Sequence, residues 1–335
     1  MQTNHNFHDD KVAIVMSTYN GAKYVVEQLN AVMQQTHANW HCYIRDDGSK
    51  DDTVATIKAH VNDDNRFSVI TDEQGNLGYN KSYYALIALA NEQYIAMCDQ
   101  DDVWQVNRIR YSSDIFEKNP ECGYIFSDAW IMDKNSQPLP STLWSEVGFT
   151  LNKQREFRDH ELQPKFLSQN ACVTGATLVF RAVHRNLFLP LPVLDRAIHD
   201  GWISILLSLH GYFGIAEPAQ LISYRIHAQQ QSGIRHKSLY RKLKGRLSGH
   251  RSSIENHLNE LLTIRTWILA SSSATALKRF EHTFGIILAS LEFRSMILMI
   301  PERPARISMV FHHLLKGGYK GNPSPFLSAL KDLIF

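Results

Sequence analysis

Short apolar runs alternate with helical patterns along residues 12–104, and this alternation constrains the fold more than any other feature of the sequence. The first run, residues 12–16, is followed by apolar residues three or four positions apart, which is the period of one helix face. Further strand-like runs begin at residues 40, 67 and 94. Strands that alternate with helices predict an α/β fold in which helices flank a mainly parallel sheet.

Polar residues follow three of these runs. Residues 17–20 follow the first, residues 46–49 the second and residues 99–102 the fourth. Ligands in such sheets bind outside the carboxyl ends of the strands, so we expect the three loops to form one site. Neither a Gly-rich dinucleotide fingerprint nor a P-loop follows the first run, which disfavours a Rossmann dehydrogenase and a P-loop enzyme.

The fourth run ends in three carboxylates, Asp99, Asp101 and Asp102. Like charges this close repel, so they are tolerated either because water solvates them or because a divalent cation neutralises them. Mg²⁺ and Mn²⁺ take oxygen ligands and keep positions open for phosphates, which suits Asp99 and Asp101 in a D-x-D arrangement. The alternative is a solvated turn that caps the next helix.

The first two loops offer groups that can bond a nucleotide. Hydroxyl and amide groups suited to a base and a ribose belong to Ser17, Thr18, Tyr19 and Asn20. Asp46 or Asp47 can accept the imide N–H of a pyrimidine. The alternative for residues 46–49 is a tight turn with a helix cap.

Asp200 lies where a predicted helix begins. A carboxylate there is stabilised by the helix dipole, so one interpretation is a capping residue. The other is a general base that takes a proton from an acceptor hydroxyl.

Two further segments bear on function. Residues 133–165 are polar, contain prolines and show little periodicity, which predicts a functional loop or lid. Residues 221–227 predict an edge strand that runs into a loop. Its Tyr224, Arg225 and His227 can meet phosphate oxygens or a metal, although a single histidine is more often a surface residue.

The overall charge of +2 hides an asymmetry. Residues 1–234 carry 19 Lys and Arg against 27 Asp and Glu, whereas residues 235–335 carry 16 against 6. We therefore expect a loose tail (1–10), a catalytic domain (11–234) and a basic, helical region (235–335). The basic residues of segment 235–251 predict an amphipathic helix on an anionic membrane surface, the alternative being a solvated helix packed on its own domain.

Cysteine usage and the chain start suggest a location. The four cysteines are scattered, without a C-x-x-C pair, which favours a reducing, cytoplasmic setting. Residues 1–10 lack the apolar stretch of a signal peptide. Residues 284–300 are apolar but too short and too charged to span a bilayer comfortably, so we expect a cytoplasmic protein with peripheral contact to the inner face of the membrane.

An ordered set of motifs then resembles inverting glycosyltransferases of the GT-A fold, family 2, and within it the bacterial rhamnosyltransferase-like branch of O-antigen and capsule synthesis. The resemblance covers about residues 10–235. It is carried by Ser17-Thr18-Tyr19-Asn20-Gly21, Asp46-Asp47-Gly48-Ser49, Asn76-Leu77-Gly78, Cys98-Asp99-Gln100-Asp101-Asp102-Val103-Trp104, Thr174-Gly175, His199-Asp200 and Tyr224-Arg225-Ile226-His227.

This resemblance implies transfer of a sugar, L-rhamnose from dTDP-rhamnose, to a hydroxyl of a saccharide or a polyprenyl-diphosphate-linked acceptor, with Mn²⁺ or Mg²⁺ and without nucleic acid. It implies a base, Asp200, and metal ligands Asp99, Asp101 and His227. The implied nucleotide site consists of Ser17, Thr18, Tyr19, Asn20, Asp46, Asp47, Asn76, Lys81 and Asp99. The implied acceptor or diphosphate contacts are Asp102, Trp104, Thr174, Gly175, Tyr224 and Arg225.

Two residues depart from the pattern of this branch. Ser82 stands where Asn is expected, which affects a helix contact near the nucleotide. Gly201 follows the implied base where a bulky residue is usual, which opens the acceptor side. Three other hypotheses stay open, namely a UDP-hexose donor, a metal-dependent sugar nucleotidyltransferase and a membrane-docked assembly protein without turnover.

Overall fold

The structure, a computed structural model, describes residues 11–72, 74–189, 199–228, 230, 250–271, 273–319 and 325–334. Its contacts divide the chain into two compact units, 1–234 and 235–335. The predicted tail (1–10), the predicted boundary at 234 and 235, and most of the basic segment (235–249) lie outside the described residues.

The first unit contains the α/β fold that the sequence predicts. Its elements are β1 Val12–Thr18, α1 Val25–Met33, β2 Trp40–Asp46, α2 Thr53–Val61, β3 Phe67–Ile70, α3 Tyr79–Leu89, β4 Tyr94–Asp99, β5 Val103–Trp104, α4 Arg108–Lys118, β6 Cys122–Met132, β7 Pro138–Thr142, α5 Leu143–Val147, α6 Leu151–Phe157, α7 Gln163–Gln169, β8 Val179–Arg181, α8 His199–Leu209 and β9 Phe213–Arg225. Short 3₁₀ turns cover Gly175–Thr177 and Ala182–Leu187.

The described strands form one sheet in the order β3-β2-β1-β4-β8-β6-β9-β5, with β7 paired to β6. Strands β1 to β4 pair in parallel, which confirms the prediction for this half of the sheet. Strand β8 runs antiparallel to β4 and β6, and β5 runs antiparallel to β9. The sheet as a whole is therefore mixed.

Strand β1 lies at the centre of the parallel half because both of its faces are apolar. All five of its first residues are buried. Helix α1 packs its own apolar stripe inward, so that Val25, Leu29 and Val32 are buried. A strand that is covered on both faces and paired on both edges is a rigid base for the loop that follows it.

Segment 133–165 is structured, so its prediction as an irregular loop or lid is wrong. It contains β7, α5, α6 and the start of α7. Its three aromatic residues, Trp144, Phe149 and Phe157, pack on one another, on Phe126 of β6 and on Phe166 of α7. Aromatic residues at irregular spacing produce no strand or helix period, which hides these elements from a pattern analysis.

The predicted edge strand at residues 221–227 is also wrong, because these residues end a longer, interior strand. Strand β9 lies between β6 and β5. Its register with β6 shifts between Ser127 and Asp128, where Pro218 stands on the β9 side. Proline cannot donate to the ladder and is confined to bulges inside a sheet, so it reads as a strand end in the sequence.

The second unit is helical, as predicted. Its described helices are α9 His250–Ala270, α10 Ala274–Ile297, α11 Arg303–Leu315 and α12 Pro325–Ile334. A small core joins α10, α11 and α12 through Ile297, Val310, Tyr319 and Ala329. Among the residues described, no helix is both long enough and apolar enough to cross a bilayer.

A buried ion pair links α10 to α12. The guanidinium group of Arg294 donates to both carboxylate oxygens of Asp332 at 2.8 and 3.0 Å, and the hydroxyl of Tyr319 donates to the same carboxylate at 2.8 Å. Such a pair stabilises the helices only while every charged group keeps its partner.

We predict that Asp332→Ala lowers the free energy of unfolding of the helical unit by about 3 to 5 kcal/mol, because it leaves the Arg294 charge buried without its partner. Hydrogen exchange measures this as lost amide protection in α10 and α12 while β1 keeps its protection. The control is Glu255→Ala, which removes an exposed pair with Arg251 and is expected to cost about 0.5 kcal/mol or less. Equal losses in the two variants would contradict the prediction.

Candidate active site

The carboxyl ends of three neighbouring strands bring together the loops that the sequence singles out. In the register of β1 with β2, Thr18 lies opposite Asp46. In the register of β1 with β4, Ser17 lies opposite Asp99. The predicted common site is therefore a direct consequence of parallel pairing in this register.

The carboxylate of Asp46 shapes the second loop. It accepts hydrogen bonds from the hydroxyl groups of Thr18 at 2.9 Å and Ser49 at 2.6 Å. It also accepts from the backbone N–H groups of Gly48 at 3.1 Å and Ser49 at 2.7 Å. The tight turn proposed for residues 46–49 is thus present, and it fixes the end of β2 against the end of β1.

The carboxylate of Asp47 joins this loop to the one before α3. Its two oxygens accept from the backbone N–H groups of Leu77 at 2.7 Å and Gly78 at 2.9 Å. The side-chain amide of Asn76 donates to the carbonyl of Asp47 at 2.7 Å. Asp47 and Asn76, both predicted to hold a nucleotide, therefore form one rigid wall of the site.

Arg45 is a buried centre of this wall that the sequence reasoning missed. Its guanidinium group donates to Asp47 at 2.8 Å and to both carboxylate oxygens of Asp72 at 2.7 and 3.0 Å. It also donates to the hydroxyl of Ser82, which accepts a second bond from Ser17 at 2.7 Å. An arginine on an alternating strand reads as a solvent-facing residue, and only the nearby Asp47 hints at a buried pair.

Gln100 fastens the first loop to the acidic loop. Its amide accepts from the backbone N–H of Tyr19 and donates to the carbonyl of Tyr19, both at 3.0 Å. Gly21 lies directly beneath, since a Cβ added there would come within 2.0 Å of the Gln100 amide oxygen. A larger residue at position 21 would therefore displace the Gln100 amide from its bonds to Tyr19.

The acidic loop carries carboxylates with strongly altered acidity. Burial raises the pKa of Asp99 to about 7, and the charge of Asp101 adds to this rise. The hydroxyl of Tyr83, missed in the sequence, donates to Asp99 at 2.7 Å. Burial, with Asp101 and Asp99, also raises the pKa of Asp102, whose second carboxylate oxygen has no hydrogen-bond partner. Mutual repulsion of this kind favours a bound cation.

His227 extends this acidic group, and its Nε2 lies 2.6 Å from a carboxylate oxygen of Asp101. Across the described residues, no three His, Cys, Asp or Glu side chains are grouped so as to hold a metal ion by themselves. The carboxylates nevertheless fit a hard cation that takes its remaining oxygen ligands from a phosphate. The protein would supply Asp99, Asp101 and His227 to such an ion.

Arg225 supports the acidic loop from below. Its guanidinium group is buried and donates to the carbonyl of Asp101 at 2.6 Å, to Glu27 at 2.6 Å and to the hydroxyl of Ser136 at 2.7 Å. Its backbone N–H donates to Asp102 at 2.9 Å. All of these bonds join Arg225 to other residues of the protein. Its partner Glu27 was not identified from the sequence.

Trp104 and Tyr224, which the resemblance places near acceptor or diphosphate, are both buried. The indole ring of Trp104 stacks on the guanidinium group of Arg108 at 3.8 Å. Burial raises the pKa of Tyr224, and the charges of Asp102 and Asp99 add to the rise. Lys81, by contrast, is exposed on α3.

Asp200 stands at the start of α8, next to the 3₁₀ turn at Gly175. Its carboxylate accepts from the backbone N–H of Gly175 at 2.7 Å and from that of Gly201 at 2.6 Å. Burial raises its pKa to about 6, although both hydrogen bonds oppose the rise. Burial and the Asp200 charge also raise the pKa of Tyr79, which lies near both Asp200 and Asp99.

These residues form a site with two chemically different sides. One side collects carboxylates that suit a cation and, through it, a phosphate. The other holds a carboxylate that is largely ionised near neutral pH and basic enough to take a proton. A Cβ added at Gly201, the residue after Asp200, would meet no atom within 4 Å, so there is open space at this position.

We predict that Asp101→Asn lowers the pKa of Asp99 from about 7, because it removes the nearest like charge while the hydrogen-bonding shape stays similar. Carboxyl ¹³C chemical shifts followed over pH measure the change. Asp114→Asn, an exposed residue on α4 paired with Arg110, is the control and should leave the Asp99 titration unchanged. An unaltered titration in Asp101→Asn would refute the coupling.

The sequence of this chain matches the model of a known protein family. The sequence model of the family described as glycosyl transferase family 2 matches residues 13–188, more than half of the chain.

Individual relatives match over shorter segments. The chain is 28% identical to UDP-Glc:alpha-D-GlcNAc-diphosphoundecaprenol beta-1,3-glucosyltransferase WfgD of Escherichia coli over 128 residues. This segment covers 38% of this chain and 49% of WfgD. Over 98 residues it is 32% identical to glycosyltransferase GlyG of Streptococcus pneumoniae, 29% of this chain and 32% of GlyG. The chain thus spans about half or less of the length of these two relatives.

Among solved structures, that of S. aureus TarS 1-349 in complex with UDP-GlcNAc superposes on 97% of this chain and 88% of its own, with a TM-score of 0.58 and 14% sequence identity. At that identity the likeness concerns the fold alone.

Proposed function

Because the chain belongs to glycosyl transferase family 2, we propose that it is an inverting glycosyltransferase that moves a sugar from a nucleotide donor to a hydroxyl group of a lipid-linked saccharide in bacterial surface polysaccharide synthesis. The predicted family and GT-A fold are confirmed by the family match and by the fold shared with TarS. The proposed acceptor class is taken from the name of the relative WfgD, which specifies a sugar on diphosphoundecaprenol.

One observation carries this proposal: the acidic loop after β4 meets the polar loops after β1 and β2 at a single edge of the sheet. The register puts Ser17 beside Asp99 and Thr18 beside Asp46. A nucleotide held by the first two loops would direct its diphosphate to the third. The proposed nucleotide contacts are the residues of the sequence prediction, with Arg45 added as the group that keeps Asp47 in place.

The leaving diphosphate gains negative charge in the transition state, and the site must stabilise it. A divalent cation on Asp99, Asp101 and His227 would supply that stabilisation when bound. The protein's own part is to hold these side chains ready. Arg225 does so by bonding the carbonyl of Asp101 and the carboxylate of Asp102 at the same time.

Asp200 is the proposed general base. Its carboxylate is held by the N–H groups of Gly175 and Gly201, so it keeps a fixed direction. With a pKa of about 6 it is mostly ionised at neutral pH, yet it accepts a proton more readily than an ordinary aspartate. It would take the hydroxyl proton as the acceptor oxygen attacks the sugar from the face opposite the diphosphate, which inverts the anomeric centre.

The donor is proposed to carry a pyrimidine nucleotide. The resemblance to the rhamnosyltransferase-like branch favours dTDP-L-rhamnose, which would give an α-L-rhamnoside. The relative WfgD, named for a UDP-Glc donor, favours a UDP-hexose instead. Thermal stabilisation of the chain by a panel of nucleotide sugars, with and without Mn²⁺, separates these donors because the bound ligand stabilises the folded state.

We predict that Asp200→Asn binds the donor normally but transfers sugar about two to four orders of magnitude more slowly, as expected for the loss of a general base. In the unmodified chain, kcat/KM should fall below an apparent pKa of about 6, because protonation removes the base. That limb should disappear from the residual rate of the variant. Full activity of Asp200→Asn would move the base to another residue.

We also predict that Asp101→Ala abolishes transfer and the Mn²⁺ dependence of nucleotide binding, because the cation loses a carboxylate ligand. Isothermal titration with UDP or dTDP, with Mn²⁺ or with EDTA, measures the effect. Asp114→Ala serves as the matched loss of one exposed carboxylate. Undiminished turnover of the unmodified chain in EDTA would contradict the proposed role of the cation.

A further inference from the structure

The helical unit exposes an apolar stripe along α11. Ile307, Phe311 and Leu315 are 46%, 55% and 85% exposed. They follow one another at intervals of four residues, so they share one face of the helix. We propose that this stripe binds the surface of an anionic phospholipid membrane and brings the enzyme to its lipid-linked acceptor.

The stripe adjoins the side of α11 that holds the helical unit together. Val310 of α11 is buried against Tyr319 and Ala329, and Leu314 packs against the same cluster. At the helical period, Val310 and Leu314 lie next to Ile307 and Phe311, so α11 has one broad apolar face. The core covers the Val310 side of this face and leaves the side of Ile307, Phe311 and Leu315 exposed.

The neighbouring helix adds to the exposed apolar surface. On α12, Phe326 and Leu330 lie four residues apart and are 78% and 51% exposed. Across the described chain, ten of the seventeen exposed large apolar side chains belong to the helical unit, which is less than a third of the sequence. Scattered exposure is ordinary, but this concentration marks an interaction surface.

Charge selects the occupant of this surface. Between residues 298 and 335 the basic residues are Arg303, Arg306, Lys316, Lys320 and Lys331, against two acids, Glu302 and Asp332. Asp332 is buried in its pair with Arg294, so it does not offset the basic residues at the surface. An exposed apolar face in a segment rich in basic residues fits acyl chains below anionic headgroups.

Pairing of two helical units with each other would fit less well. Residues 235–335 carry 16 basic and 6 acidic residues, so two such units would repel each other on approach. An anionic membrane attracts the same unit. The proposal rests on the proposed function only in its purpose, because a lipid-linked acceptor is presented at a membrane surface.

The test is vesicle co-sedimentation of the full chain without donor or acceptor. One set of vesicles contains phosphatidylglycerol and phosphatidylethanolamine, and the other contains phosphatidylcholine alone. The triple variant Ile307→Ser, Phe311→Ser, Leu315→Ser is compared with a matched triple variant of exposed residues in the first unit, Leu151→Ser, Leu162→Ser, Val183→Ser. Circular dichroism of both variants checks that the helices are retained.

We expect the unmodified chain to bind the anionic vesicles, more weakly at high salt and more weakly still to phosphatidylcholine. The α11 variant should lose about tenfold or more in vesicle affinity, since three apolar side chains no longer leave water. The control variant should bind as the unmodified chain does. Vesicle binding needs no sugar transfer, so an unmodified chain that binds vesicles but transfers no sugar from any nucleotide donor would overturn the proposed function alone.

Three results would overturn the membrane proposal. The first is unchanged vesicle binding by the α11 variant. The second is absence of vesicle binding by the unmodified chain. The third is a dimer of the unmodified chain that the α11 substitutions convert to monomer, since a second copy would then occupy the stripe.

Discussion

Repulsion among carboxylates at one edge of the sheet is the constraint on which the rest of the structure depends. Asp99, Asp101 and Asp102 stand together at the end of β4, and the fold must hold them in a partly enclosed place. It does so with buried arginines. Arg225 bonds the acidic loop from below, and Arg108 lies under Trp104 and bonds the carbonyl of Met97. The guanidinium groups of these two arginines reduce the free-energy cost of burying like charges. They come from α4 and β9, which are far apart in the sequence.

A separate arrangement secures the nucleotide side. Arg45 and Asp47 form an ion pair in which both side chains are almost fully buried, and the pair ties β2 to the loop before α3. Removing Arg45 would leave the buried carboxylate of Asp47 without its cation, whereas removing Asp47 would leave Arg45 its pair with Asp72. The wall and the strand end therefore depend on Arg45 together. The nucleotide side is thus held by side-chain ion pairs. The carboxylate of Asp200, in contrast, is held by two backbone N–H groups. The proposed division into a donor side and an acceptor side thus has a basis in how each side is held.

Much of this could be predicted from the sequence, for a specific reason. Apolar runs and the polar residues after them are local signals, and parallel pairing converts them into one site. The roles of Arg45, Glu27 and Arg225 depend on partners up to 198 positions away, which no local pattern records. The aromatic core of segment 133–165 lacks a period, and Pro218 disguises the middle of β9 as its end. The proposed roles in binding and catalysis stay predictions, because they concern ligands rather than packing.

The empty space beside Asp200 has an evolutionary consequence. Gly201 lies in a helix, has no close neighbour at its Cβ position and is not confined to a glycine-only backbone conformation. A larger residue would therefore fit at this position. It would also favour folding, because glycine is less stable inside a helix than most other residues. Position 201 can therefore drift in size without endangering the scaffold. Under the role proposed for Asp200, a change of size at position 201 would alter the space beside the base and leave the scaffold intact.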